Sequence, residues 1–202
     1  MKAAIFDVDG TLVRSMDVDS KLYVSAINTI LGPVEYRPSF NDYDNVTDRG
    51  IIEQLIDDNA LTVGPDVIDA IRMHFVESVN DHINTVGPFP AIHGATQMID
   101  RLSRFAEIGI AIATGGWRDS ALAKLESSGF RLDGIPIATC DDSPSRTEIM
   151  HNALSQLGQE FESVTYFGDA EWDKRACRKL GWKFVAVGSD LGGIESYEGI
   201  EF

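Results

Sequence analysis

Five short apolar runs, each followed by turn-forming residues, punctuate the chain: Ala3 to Phe6, Ile108 to Ala113, Ile135 to Ala138, Val164 to Phe167 and Phe184 to Val187. Short continuous apolar runs of this kind suit strands covered on both faces. Between the later runs the apolar positions change to helical spacing. Ala121, Leu122 and Leu125 follow the second run, and Ile149, Ala153, Leu154 and Leu157 follow the third. Strand alternating with helix predicts an α/β fold with a doubly wound, five-stranded parallel sheet.

The first two runs lie roughly a hundred residues apart, far more than the single crossover helix that a parallel pair requires. Within that gap Leu22, Ala26 and Ile30 repeat every four residues, as do Ile51 and Leu55, Ile52 and Ile56, and Val67, Ile71, Phe75 and Val79. An inserted helical lobe over residues 15–87 is therefore expected, with residues 1–14 and 88–202 forming the core. The return passes through Gly87, Pro88, Phe89 and Pro90, where two prolines stiffen the chain into a hinge strand. The lobe carries 13 Asp or Glu against 4 Lys or Arg, read here as solvated helix surface.

At 202 residues and 44% apolar content the chain has room for one substantial core plus a smaller lobe. Its net charge of -15, with no basic cluster, argues against nucleic acid and anionic membrane as partners. Small phosphorylated molecules stay open, because a local metal and a few donors can invert the surface potential. Cys140 and Cys177 are too few for a disulfide framework. With no signal-like segment at Met1 to Gly10, a cytoplasmic monomer or homodimer is expected.

Four strand ends carry candidate chemistry. Asp7 and Asp9 stand two apart after the first run, so they face the same way, and Gly10 lets the chain turn at once. In an open parallel sheet that end is where ligands bind. Two such carboxylates need a cation or a shared proton between them, and magnesium suits carboxylate oxygen. Thr114, Gly115 and Gly116 end the second run before a helix near Arg118; such a turn can hold phosphate oxygens and is also a common connection. Ser145 to Glu148 matches a capping box, which places Arg146 in the first turn of a helix, where a cation opposes the helix dipole. After the fourth run, Asp169 follows Gly168, and Asp173 falls in the first turn of the next helix, as a metal ligand or as a helix-start charge.

These elements, in this order, resemble the haloacid dehalogenase superfamily, in particular its phosphoglycolate-phosphatase-like members with a helical cap inserted after the first motif. The likeness rests on Phe6 to Leu12, on Gly168 to Asp173 and on the cap segment Thr47 to Ile51. It implies a Rossmann-like core, an all-helical cap and a magnesium-dependent phosphatase acting on a small phosphorylated metabolite. By resemblance, Asp7 is the nucleophile that forms an aspartyl-phosphate, and Asp9 is the acid and then the base. Thr114, Gly115 and Arg146 bind the phosphoryl group. Magnesium is held by Asp7, the main-chain carbonyl of Asp9 and Asp169, with Asp173 close by. Arg49, Asp48 and Trp117 are the substrate contacts expected from their place.

Two positions depart from the family pattern. Arg146 stands where relatives carry Lys, and Arg14 where they commonly carry Asp. Lys124 and Lys174 are poorer phosphate ligands than Arg146 because they sit inside helices. The main rival activity is a sugar phosphomutase with the same core residues. A non-catalytic phosphate-binding module is disfavoured because both Asp7 and Asp9 are present.

Overall fold

A computed structural model describes all 202 residues. Five strands, β1 (Lys2–Phe6), β2 (Ile108–Ala113), β3 (Ile137–Ala138), β4 (Ser163–Gly168) and β5 (Lys183–Ala186), form one parallel sheet in the order β3-β2-β1-β4-β5. The helices are α1 (Met16–Leu31), α2 (Asp48–Asp58), α3 (Val67–Thr85), α4 (Ala95–Leu102), α5 (Arg118–Ser127), α6 (Arg146–Ser155) and α7 (Glu171–Leu180). None is long and apolar enough to cross a membrane.

Strand β1 lies at the centre, and the residues from Ala3 to Phe6 are fully buried, as the unbroken apolar run requires. The chain runs outward from β1 through β2 to β3, then returns to the other side of β1 as β4. That reversal opens a crevice beyond the carboxyl ends of β1 and β4. Phe6 is in register with both Ile112 and Phe167, so Asp7, Thr114 and Asp169 leave the sheet at nearly the same height. The Phe6 and Phe167 rings stack at 4.6 Å beneath the crevice. Each buried ring of this size contributes about 1.5–3 kcal/mol.

Three local expectations need correction, and one helix goes beyond them. Strand β3 is shorter than Ile135 to Ala138, because the Ile135 N–H turns back to Leu132 and Pro136 has no N–H to give. Strand β5 starts one residue earlier and ends one earlier than the apolar run. Gly87 to Pro90 form no strand; only Val13 and Ala91 make an antiparallel bridge, flanked by bonds from Arg14 N to Pro90 O and Ile92 N to Leu12 O, both 2.8 Å. Helix α4 was not anticipated, although Ala95, Met98, Ile99 and Leu102 show the one-sided spacing of a buried helix face.

The inserted helices pack their periodic apolar positions inward: Tyr23, Ala26 and Ile27 from α1, Ile51, Ile52 and Leu55 from α2, and Ile71, Phe75 and Val79 from α3. Helix α3 also rests on α5 of the core. Trp117, just before α5, lies between the two layers, its ring 5.7 Å from Phe75 and 6.1 Å from Tyr23. The inserted helices are thereby docked against the crevice.

Candidate active site

Three carboxylates meet at the crevice. Asp7, Asp169 and Asp173 each present an oxygen within 4.8 Å of the others. Oδ1 of Asp7 and Oδ1 of Asp169 are buried with no hydrogen-bond partner. An unpaired buried carboxylate oxygen is costly. Its usual resolution is a proton or a cation.

Protons are held unusually tightly here. Burial, followed by the charge of Asp173, pushes the Asp7 carboxyl up to about 7, although Arg146 opposes the shift. Burial, then Asp7 and Asp173, pushes Asp169 up to about 8. The cluster therefore has the donor set and the electrostatic need for a hard divalent cation, directly at Asp7 and Asp169. Gly10 makes the approach possible. Its φ of +72° is a left-handed turn, and a β-carbon there would overlap the Asp169 carboxylate.

Asp173 is fully buried and differently engaged. Its Oδ1 accepts from Arg146 Nη1 at 2.7 Å, and its Oδ2 accepts from the Ala170 N–H at 3.3 Å. It thus serves both as a helix-start charge and as the anchor of Arg146. The guanidinium lies 3.6 Å from Asp7 Oδ2 and also donates to the Val46 carbonyl of the inserted segment. Gly115 allows this, because a β-carbon there would overlap the guanidinium. The sequence expectation for Arg146 is right about helix position and incomplete about the cap. No capping box forms, since Ser145 Oγ meets Thr147 Oγ1 and Glu148 accepts from Ser143 Oγ.

Thr114 Oγ1 accepts from the Gly116 N–H at 3.2 Å, which leaves its own proton without a protein acceptor. The Gly115 N–H likewise has no partner, while the Gly115 carbonyl receives the Asp48 N–H at 2.8 Å. Thr114 and Gly115 thereby bring two uncommitted donors to the edge of a cavity of about 80 Å³ that Asp7, Asp9, Thr114, Gly115, Arg146 and Asp169 line from the core.

The Asp9 carboxylate stands outside the three-acid cluster. Its Oδ1 accepts from Ser15 Oγ at 2.5 Å and from Lys124 Nζ at 2.6 Å. The same ammonium donates to Asp19 of α1 at 2.7 Å. Lys124 is 1% exposed and does not line the cavity. Its role is to hold Asp9 and to tie a core helix to an inserted one. Sequence reasoning set Lys124 aside as a residue inside a helix; the one available signal was a lysine on the buried side of α5, beside Ala121 and Leu125. Lys124→Met is expected to lower unfolding stability by about 3 kcal/mol, near the low end for breaking a buried pair. Asp9 and Asp19 side chains keep 14% and 15% exposure, which softens the loss. A urea midpoint equal to that of the parent would refute the assignment.

Two proposed substrate contacts are displaced. Trp117 is 2% exposed because its indole fills the space between Tyr23 and Phe75, and Arg49 turns along α2 to pair with Glu53 at 2.8 Å. Neither lines the cavity. Asp48 does, as does Asp19, so two acids of the inserted lobe face the site instead of solvent. Burial and then Asp19 push the Asp48 carboxyl well above the usual range, while burial raises Asp19 to about 6 against the pull of Lys124.

A parallel sheet, a helical insertion after its first strand and carboxylates gathered at the topological switch define an α/β enzyme with a carboxylate-centred site. The haloacid dehalogenase-like hydrolase family model matches residues 4–187, and the chain belongs to that family. Solved structures share the fold. A hydrolase from Pseudomonas syringae is 20% identical with a TM-score of 0.75, covering 95% of this chain and 88% of its own. CbbY from Rhodobacter sphaeroides, solved in complex with phosphate, is 21% identical with a TM-score of 0.69, covering 99% and 89%. A β-phosphoglucomutase from Clostridium difficile is 14% identical with a TM-score of 0.70, covering 93% and 84%. No curated protein matches the sequence.

Proposed function

We infer that the protein is a phosphatase that hydrolyses a small phosphate monoester through an aspartyl-phosphate on Asp7, with magnesium as its cofactor. The observation that carries this reading is the pair of buried, unpartnered oxygens on Asp7 and Asp169 beside Arg146. A carboxylate nucleophile needs a neighbouring charge donor before it can approach an anionic phosphoryl group.

Magnesium would be held by Asp7, Asp169 and the main-chain carbonyl of Asp9, and when bound it would supply positive charge that offsets the repulsion between a carboxylate and an anionic phosphoryl group. Asp7 attacks phosphorus. Arg146, the Thr114 hydroxyl and the Gly115 N–H bind the phosphoryl oxygens. Asp9, fixed through Oδ1 by Ser15 and Lys124, keeps Oδ2 free to give a proton to the leaving oxygen and later to take one from water. The inserted helices serve as a cap that excludes bulk water.

The cofactor has a thermodynamic test that requires no substrate. Without a cation, native Asp7 and Asp169 keep their protons up to about 7 and 8, whereas in the unfolded chain both ionise near 3.8. The native state then binds more protons between about pH 4 and 8, so stability falls as pH rises through that window. Magnesium chloride is expected to raise the melting temperature clearly at pH 8.5 and little at pH 5.5. An equal shift at both values would refute cation binding at these acids. Release of phosphate from p-nitrophenyl phosphate, with and without magnesium, tests the activity itself.

A further inference from the structure

We propose, building on that phosphatase reading, that the substrate's leaving group carries hydroxyl or ammonium donors and no second anionic group. The juxtaposition behind this is an acidic cap wall with no cation of its own, facing the phosphoryl site across a small cavity.

The inserted segment gives the cavity two carboxylates, Asp19 and Asp48, together with Ser20, Tyr23 and the backbone around Thr47. It gives no Lys or Arg. Every cation of the insertion is committed or turned away: Arg37 to Asp58, Arg49 to Glu53, Arg72 to Asp119 and Asp141, with Lys21 exposed. Neither core cation that reaches the insertion here is free: Lys124 is shared between Asp9 and Asp19, and Arg146 is held by Asp173 and the Val46 carbonyl. Asp19 Oδ2 and Asp48 Oδ1 accept no hydrogen bond from the protein and remain available to a donor on the ligand.

The core offers one strong cation, Arg146, and Asp7 and Asp173 already claim it. A groove of about 620 Å³ adjoins the site at Gly10 and Asp169 and holds a single base, Arg14, against Asp17, Asp190 and Glu195 besides Asp169. A carboxylate or second phosphate on the leaving group would thus find no unclaimed cation on either side and would face the Asp19 carboxylate, so the loss of its hydration would go uncompensated. The cavity of about 80 Å³ is also far below the ~300–1,000 Å³ of pockets for drug-sized ligands, so the leaving group is small.

The test compares near-isosteric pairs: phosphoethanolamine against phosphoglycolate, and glycerol phosphate against phosphoglycerate, with magnesium and the full chain. The kcat/KM of the first member of each pair is expected to exceed that of the second by about tenfold or more. Asp19→Asn, checked for folding by its melting temperature, should narrow the ratio by about threefold or more. Equal or higher kcat/KM on phosphoglycolate and phosphoglycerate, or ratios unchanged in the folded Asp19→Asn variant, would overturn the proposal while leaving a phosphatase. If no phosphate is released even from p-nitrophenyl phosphate, the phosphatase reading fails and takes this proposal with it.

Discussion

Asp7→Asn is expected to reduce phosphate release by about 10⁴-fold or more, the scale for deleting a nucleophile, while the protein stays folded. Asparagine keeps the volume of a side chain that is 6% exposed, so no cavity opens beneath the crevice. It also removes one of three mutually repelling acids, so the melting temperature in the absence of metal should stay level or rise. At pH 8.5 the stabilisation by magnesium should shrink in the same variant, because one of the two unpaired oxygens has lost its charge. Hydrolysis at the parental rate would remove Asp7 from the mechanism. A collapse of stability would show instead that the carboxylate has a structural task.

Arg146→Ala should damage both rate and fold. The guanidinium is the only cation beside Asp7 and Asp173, and its side chain is 12% exposed against 6% and 0% for theirs. Truncation leaves two buried carboxylates uncompensated, at a cost of about 3–5 kcal/mol in unfolding free energy. Loss of a preorganised donor to the phosphoryl group adds about 2–4 kcal/mol to the activation barrier. Arg146→Lys should recover part of the stability but little of the rate. One ammonium cannot donate to Asp173 and to the Val46 carbonyl in the way the planar fork does. Urea unfolding and kcat/KM measured together separate the two effects, and a truncated variant with parental values in both would make Arg146 incidental.

Arg146 also shows where local reading stops. Its place at the start of α6 followed from the segment around Ser145, but its partners lie 27 and 100 positions away in sequence, at Asp173 and Val46. The Lys124 contact with Asp9 spans 115 positions. Periodicity correctly placed Lys124 inside a helix and could not say that the ammonium ends beside a catalytic candidate. Trp117 failed in the opposite sense. It follows the Thr114–Gly116 turn closely enough to suggest a substrate contact, yet burial of its large ring against Tyr23 and Phe75 outweighed that proximity.

The sequence by itself determined the features that depend on alternation and spacing along one segment. Unbroken apolar runs are stable only when covered on both faces, which implied the parallel sheet, and a separation of two residues places Asp7 and Asp9 on one side of a strand end. The tertiary structure alone decided how charge is shared at the crevice. Asp7 and Asp169 keep unpaired oxygens, Asp173 holds Arg146, and Lys124 joins Asp9 to Asp19. The physical reason is that a buried charge is set by desolvation and by whichever opposite charges the packing brings within a few ångströms. Those neighbours come from the ends of β1 and β4, from the core helices α5, α6 and α7, and from the inserted α1, which no local pattern brings together.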